Sequence, residues 1–214
     1  MTVKVFNNFL PEKHAEFLRK EILKTPSNQF TYAFQLLNSA AVIYPEDTLE
    51  GDIQQKTLLT QMQESMNRGL YTYRFKRTLE HADTCKCYFC TFTDQYLTSQ
   101  SVLNFIKENS DVQNPYLFEK FISVYSSGDF LSMHKDHGRG VAFIFNFTKN
   151  WRPEYGGLLH VLQGDGTYKA YLPEFNSLYL IQLNKGEGVD HFVSEVSTLA
   201  PEPRLAISGW YNDR

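Results

Sequence analysis

The sequence predicts an α+β protein in which a few helices brace a β-sandwich or β-barrel of jelly-roll type. Two observations carry this prediction. Apolar residues at helical spacing are confined to the first half of the chain, and short β-rich runs follow one another after residue 119, separated by Gly, Pro, Asn and Asp. Short strands joined by turns favour an antiparallel roll over a parallel sheet, whose crossover connections need helices.

Three helices are predicted in the first half, over residues 11–24, 52–68 and 99–109. The first starts at Pro11, a residue favoured at the first helical position, and Gly69 follows the second where a C-terminal cap belongs. Residues 71–76 alternate with period two, as a strand covered on one side does. No linker composition divides the chain. We therefore expect one domain over residues 1–214, with 1–118 as a support region and 119–212 as the core.

Eight candidate strands make up the second half. They span residues 121–125, 131–134, 141–147, 158–162, 168–172, 177–181, 191–196 and 205–211.

Composition and the cysteine pattern indicate the cellular compartment of the protein. With 42% apolar residues, 17 Phe and 13 Tyr among 214 residues, the chain can fill a core without disulfides. Its three cysteines, Cys85, Cys87 and Cys90, fall within one short cluster, which favours a reducing compartment. The first residues lack a signal-peptide layout, and no apolar run is long enough to span a bilayer. We therefore expect a cytoplasmic protein.

The charge gives no global reason to bind nucleic acid, because the formal net charge is −3. A local basic strip at Arg74, Lys76 and Arg77 is interpreted as the solvated face of an edge strand. The sequence leaves the oligomeric state open.

A candidate metal site is the most informative feature. His134 and Asp136 stand two positions apart, so their side chains leave the same face of an extended strand. His191, in a later predicted strand, is a third candidate ligand. Two histidines and one carboxylate on one side of an ion leave positions open, which is the arrangement of non-haem Fe(II) oxygenases.

Arg204 opens the last predicted strand, and its planar guanidinium is suited to gripping a carboxylate through two parallel hydrogen bonds. A second candidate metal site combines His81 with the three cysteines. Its spacing differs from the usual paired-cysteine zinc knuckle, and Cys87 and Cys90 would leave opposite faces of a strand. Free thiols are therefore the interpretation we favour.

Four blocks in order resemble the prolyl 4-hydroxylase-like 2-oxoglutarate- and Fe(II)-dependent dioxygenases. They are YSSGDFLSMHKD (residues 125–136), WRPEYGGLL (151–159), DH (190–191) and RLAISGWY (204–211). The resemblance covers about residues 119–212. It implies a double-stranded β-helix (jelly-roll) core braced by N-terminal helices, and a hydroxylase acting on a C–H bond with Fe(II), 2-oxoglutarate and O2.

The resemblance also implies roles for single residues. His134, Asp136 and His191 would bind iron, and Arg204 would bind the distal carboxylate of 2-oxoglutarate. Tyr125 matches a tyrosine that helps hold this cosubstrate. The remaining positions are Asn146, which stands where several relatives carry a tyrosine that shares the carboxylate and which can still donate a hydrogen bond; Arg139, a possible substrate contact; and Trp210, an aromatic residue near the metal.

The substrate and two rival functions stay open at this point. The resemblance favours a prolyl or other residue of a protein or peptide, while a free amino acid or another small molecule is the alternative. A cupin-like metal hydrolase could use the same three ligands, and a non-catalytic binding module could keep the fold. Arg204 argues against the hydrolase, and packing alone does not need these four polar groups together.

Overall fold

The computed structural model describes residues 3–26, 30–35, 42–45, 51–78, 88–183 and 187–214. These residues form four α-helices, twelve strands and one short 3₁₀ helix at Pro153–Tyr155. Within them, no helix is both long and apolar enough to cross a membrane.

The helices are α1 (Glu12–Leu23), α2 (Gly51–Asn67), α3 (Tyr88–Leu97) and α4 (Gln100–Asn109). The strands are β1 (Val3–Phe6), β2 (Phe30–Gln35), β3 (Val42–Pro45), β4 (Tyr73–Thr78), β5 (Pro115–Tyr125), β6 (Phe130–His134), β7 (Val141–Asn146), β8 (Leu159–Leu162), β9 (Tyr168–Tyr171), β10 (Ser177–Gln182), β11 (His191–Val193) and β12 (Arg204–Asp213).

All twelve strands belong to one antiparallel sheet that curls into a half-barrel. The order along it is β1-β10-β7-β12-β5-β4-β6-β11-β8-β9, and β2 pairs with β4 and with β3. β4 joins two parts of this curl, because Lys76 pairs with Val124 of β5 while Tyr73 pairs with Leu131 of β6. The predicted class, a jelly-roll core braced by helices, is confirmed.

The long strands are covered on both faces. In β7, Phe143 and Phe145 pack with the buried residues of α1 and α4, whereas Ala142 packs with the residues inside the curl. The same alternation in β10 and β12 produces one apolar cluster under the helices and a second one inside the half-barrel. The interior cluster surrounds the candidate metal ligands.

Local signals set most helix ends. Gly69, two residues after the end of α2, has a φ of +66°. The N–H groups of Gly69 and Leu70 donate to the carbonyls of Met66 and Ser65. This is the pattern of a glycine-capped helix, as predicted. The side chain of Ser99 accepts a hydrogen bond from the N–H of Val102 and so caps α4, whereas Pro11 lies one position before α1 rather than inside it.

Three expectations differ from the structure. α3 was not predicted, and it includes Cys90, which therefore does not lie on a strand; His81, Cys85 and Cys87 lie outside the described residues. β1, β2 and β3 were not predicted either. β4 is not an edge strand, because β2, β5 and β6 all pair with it.

Candidate metal centre and its cavity

Three side chains converge at one end of the half-barrel. His134 ends β6, His191 begins β11, and the two residues are direct partners in the strand register. Asp136 follows β6 by two residues. Its Oδ1 lies 3.5 Å from His134 Nε2, and its Oδ2 lies 3.6 Å from His191 Nε2. Atoms that bind the same ion at about 2.1 Å each lie roughly 3 to 4 Å apart, so these three groups can hold one metal ion.

Both imidazole rings are held by their own strands. His134 Nδ1 lies 3.0 Å from the carbonyl oxygen of Ser132, and His191 Nδ1 lies 2.7 Å from that of Val189. Since a carbonyl only accepts, each Nδ1 carries the proton and donates, which leaves the lone pair of each Nε2 directed at the shared site. Burial, together with the neighbouring His191, holds the pKa of His134 well below its usual range, so the ring is neutral and able to bind a metal.

Trp210 completes the support of the carboxylate. Its indole Nε1 donates a hydrogen bond to Asp136 Oδ2 at 2.9 Å. Trp210 lies on the interior face of β12, and it also packs against Phe121 with ring centroids 5.8 Å apart. The indole therefore orients one of the three candidate ligands and forms part of the wall beside them.

Arg204 lies deeper in the same interior. It is 3% exposed, stands opposite Tyr125 in the register, and places its guanidinium carbon 5.0 Å from the centroid of the Tyr125 ring. Burial lowers the pKa of Arg204, while Tyr125 and Tyr179 act in the opposite direction; the side chain keeps its charge because arginine titrates far above neutral pH.

The guanidinium is incompletely satisfied by the protein. Among the described residues it forms no ion pair with a carboxylate, and its Nε has no hydrogen-bond partner. A buried cation that lacks a counter-anion is costly. Arg204 therefore fits the role of binding the carboxylate of a dicarboxylic acid.

A cavity of about 170 Å³ connects these groups. The three candidate ligands, Arg204, Tyr125 and Trp210 all line it. Beside them stand four side chains from β4 and the residues just before it, all on one face of the chain: Tyr71, Tyr73, Phe75 and Arg77.

Tyr71 stands next to the candidate ligands. Its ring centroid is 5.2 Å from that of His134, and burial, reinforced by Tyr73, Tyr125 and Asp136, raises the pKa of its hydroxyl. None of these wall residues was predicted from the sequence as part of the site. The period-two alternation of residues 71–76 does place these side chains on one face, but no local signal tells that β4 pairs with β6 and so turns this face towards His134.

Two of the predicted residues lie outside the cavity. Arg139 stacks on Phe118 at 4.0 Å, on the far side of Trp210, whose ring centroid is 5.6 Å away. Asn146 is fully buried on the interior face of β7, and its amide donates to Ser177. The basic strip is also different from its prediction, because Arg77 lines the cavity and Arg74 Nε lies 2.9 Å from the buried Asp129.

Comparison with known proteins agrees with this site. The sequence model of the 2OG-Fe(II) oxygenase superfamily matches residues 121–212, which contain all three candidate ligands and Arg204. No curated protein matches the chain in sequence.

Solved structures show a similar fold. A Pseudomonas putida prolyl-4-hydroxylase aligns with a TM-score of 0.61 and 17% identity, over 100% of this chain and 93% of that one. A Trichoplax adhaerens prolyl hydroxylase, in complex with a hypoxia inducible factor oxygen degradation domain peptide fragment, aligns with a TM-score of 0.51 and 18% identity over 94% and 91%.

The third structure is a viral collagen prolyl hydroxylase from Paramecium bursaria Chlorella virus-1 in a 2OG complex. It aligns with a TM-score of 0.51 and 9% identity over 100% of this chain and 97% of that one. The family match and the metal site agree, so residues 121–212 are a 2OG-Fe(II) oxygenase domain and the protein is an oxygenase that uses Fe(II), 2-oxoglutarate and O2, with a fold like that of the prolyl hydroxylases.

Proposed function

We propose that this enzyme hydroxylates a prolyl residue of a protein or peptide. The observation that carries the proposal is the single cavity that joins His134, Asp136 and His191 to the buried Arg204 and to an aromatic wall. The three prolyl hydroxylases of similar fold support the same substrate class, and one of them is in complex with a peptide.

Each group has a separate task in this proposal. When bound, Fe(II) with 2-oxoglutarate and O2 supplies the oxidising power that inserts one oxygen atom into a C–H bond, while 2-oxoglutarate becomes succinate and carbon dioxide. His134, Asp136 and His191 hold the ion from one side, and Trp210 fixes the carboxylate. Arg204 grips the distal carboxylate of the cosubstrate, which contributes affinity and orientation.

The wall formed by Tyr71 and the β4 side chains suits an uncharged ring. It consists mainly of aromatic side chains, and its charged residue, Arg77, is paired with Glu119 at 2.5 Å and lies 3.9 Å over the ring of Phe121. A free amino acid would bring a buried ammonium and a buried carboxylate, and both need partners. A prolyl residue within a chain brings neither, which favours a peptide or protein over the free amino acid.

Arg204 also argues against a cupin-like metal hydrolase. Metal-bound water needs no buried guanidinium deep in the cavity, whereas a dicarboxylic cosubstrate does. The clustered cysteines support a cytoplasmic location, which we include in the proposal.

The test is succinate formation. The protein is purified without oxygen, supplied with Fe(II) and 2-oxoglutarate, and exposed to air with prolyl peptides blocked at both termini or with free proline. We expect succinate to rise with the peptides, and the double variant His134→Ala, Asp136→Ala to give background only. Succinate from wild type that never exceeds this background would contradict the oxygenase role of the site, and stimulation by free proline alone would contradict the peptide substrate.

A further inference from the structure

Two buried polar atoms in the half-barrel have no hydrogen-bond partner, and they are complementary. One is the donor Nε of Arg204 and the other is the acceptor Oδ1 of Asn146. The third such atom in the described part of the chain, Asp129 Oδ1, differs from both because it lies 2.9 Å from Arg74 Nε. A buried donor or acceptor left unpaired is destabilising, so a partner is expected for each of the two atoms.

The strand register makes Asn146 and Arg204 neighbours. Asn146 of β7 is directly opposite Ala206 of β12, and Arg204 precedes Ala206 by two residues on the same face. The two side chains are therefore diagonal neighbours. Long side chains interact at this separation across a sheet.

The orientation of the Asn146 amide is determined by Ser177 of β10. The Ser177 hydroxyl donates its proton to the carbonyl of Glu174 at 2.6 Å, so its oxygen can only accept from Asn146. Asn146 Nδ2 donates to that oxygen at 3.2 Å and to the Ser177 carbonyl at 3.5 Å. Since β7 lies between β10 and β12, the NH2 group faces β10 and Oδ1 faces the side of β12 that carries Arg204.

Asn146 thus presents an acceptor to the interior, not the donor expected from the sequence. A carboxylate has no proton to give to Oδ1, and the two oxygen atoms would repel each other. A direct contact between Asn146 and the distal carboxylate of 2-oxoglutarate is therefore unfavourable, whereas the N–H group at Arg204 Nε is a suitable donor.

We infer that Asn146 is a positioning residue for Arg204: its Oδ1 accepts the Nε–H of the guanidinium, which then grips the distal carboxylate with its two terminal nitrogens. This inference rests on the proposed function, because it assigns a role within the cosubstrate pocket. The guanidinium, whose carbon now lies 5.0 Å over Tyr125, turns towards β7 to make the bond. With this hydrogen bond, Arg204 Nε and Asn146 Oδ1 both have a partner.

The test is a double-mutant cycle on 2-oxoglutarate affinity, measured by calorimetry without oxygen and with Mn²⁺ in place of iron so that no turnover occurs. Asn146→Leu keeps the volume and removes the acceptor, and we expect the Kd of 2-oxoglutarate to rise about tenfold or more. Arg204→Lys keeps the charge and removes Nε–H. In that background Asn146→Leu should change the Kd no further, because the donor is already gone.

The outcomes separate the possible roles. An equal rise of the Kd in both backgrounds would mean that Asn146 contacts the cosubstrate directly, and an unchanged Kd with a lowered Tm would mean that it only supports the fold; either result overturns the inference. Wild type that fails to bind 2-oxoglutarate overturns the proposed function instead. Asn146→Asp has nearly the same size and secures the test if the leucine variant does not fold. Its carboxylate should pair with Arg204 and weaken 2-oxoglutarate binding more than leucine does, while Mn²⁺ affinity stays the same.

Discussion

Some side chains of this protein contribute to the site by orienting another residue. Trp210 is the clearest case, because its indole donates to the Asp136 oxygen that faces His191. Partners of this kind orient a ligand and set its basicity, and their loss commonly costs a factor of 10 to 100 in metal affinity.

Replacing this indole should therefore weaken the metal site. We expect Trp210→Phe to reduce Fe(II) affinity by about tenfold or more in an anaerobic titration. Trp151→Phe is a matched control, since the Trp151 indole donates to the carbonyl of Gly156 and not to a candidate ligand. Equal Fe(II) affinity in the two variants would show that the hydrogen bond to Asp136 has no role in metal binding.

Asp129 affects how the stability of the protein depends on pH. It is fully buried in the turn before β6, where Oδ2 accepts from the N–H of Ser126, and burial raises the pKa of its carboxyl from 3.8 to about 6 although Arg74 opposes the shift. The folded protein therefore holds this proton more tightly than the unfolded chain. The resulting stabilisation is complete below about pH 4 and is lost as the pH rises through about 6.

Asparagine at position 129 should remove this dependence. The free energy of unfolding of wild type, relative to Asp129→Asn, should fall between pH 4 and 6 by up to about 1.4 kcal/mol per pH unit. Urea titrations of both proteins at several pH values measure the difference. Parallel pH profiles would contradict the raised pKa of Asp129.

At the scale of elements, the site depends on how closely two segments approach. Gly188, three residues before His191, has a φ of +79°, and a Cβ there would lie 2.8 Å from Lys135 Cβ and 3.2 Å from the backbone nitrogen of Asp136. Gly166, in the turn between β8 and β9, has a φ of +82° and nothing within 4 Å of its Cβ position. Both glycines have a positive φ that would strain an alanine, but only Gly188 has close neighbours at the Cβ position.

Alanine at these two positions should separate the effect of backbone strain from the effect of a steric contact with Asp136. Gly166→Ala should cost about 1 kcal/mol of stability and leave Fe(II) affinity unchanged. Gly188→Ala should cost more and should also weaken Fe(II) binding, because the added methyl group pushes Asp136 away from His191. Comparable Fe(II) affinity in both variants would exclude a role for this close approach.

The elements differ in how well the sequence predicts them. His134 and Asp136 are predictable because two-residue spacing on a strand fixes a common face. α3 is not, since Tyr88–Leu97 is rich in aromatic residues and threonine, which have modest helix propensity, and packing decides its conformation. The pairing of Tyr71 with the site depends on β4 reaching β6, a contact between distant segments that no local pattern encodes.

Asn146 illustrates the same limit for side chains. Its position near Arg204 is implied by the resemblance, because several relatives carry at this position a tyrosine that shares the cosubstrate carboxylate with the arginine. The direction of its amide does not, because it depends on whether the Ser177 hydroxyl donates to Glu174, which only the assembled turn determines.

For the whole molecule, we propose that residues 1–214 unfold as one domain. The two apolar clusters lie on opposite faces of the same strands, so neither can form without β7, β10 and β12. Helices α1 and α4 pack on the apolar cluster under the helices, so circular dichroism follows that cluster. Trp151 and Trp210 pack against the cluster inside the half-barrel, so tryptophan fluorescence follows the second one.

The circular dichroism of the helices and the fluorescence of the two tryptophans should therefore change together. In urea, far-UV circular dichroism and tryptophan fluorescence should give the same midpoint in a single transition. Two separated midpoints would divide the chain into a support region and an independently stable core, and would contradict the single domain.

The self-contained support of the two histidines has a consequence for protein design. Each ring is fixed by a carbonyl two residues earlier in its own segment, and the two residues are direct partners on one pair of strands. The two histidine ligands thus lie on a compact unit of two short antiparallel segments that contains no helix. Grafted in register onto another antiparallel sheet, this pair of segments would need only one carboxylate to offer a metal ion three ligands on one side.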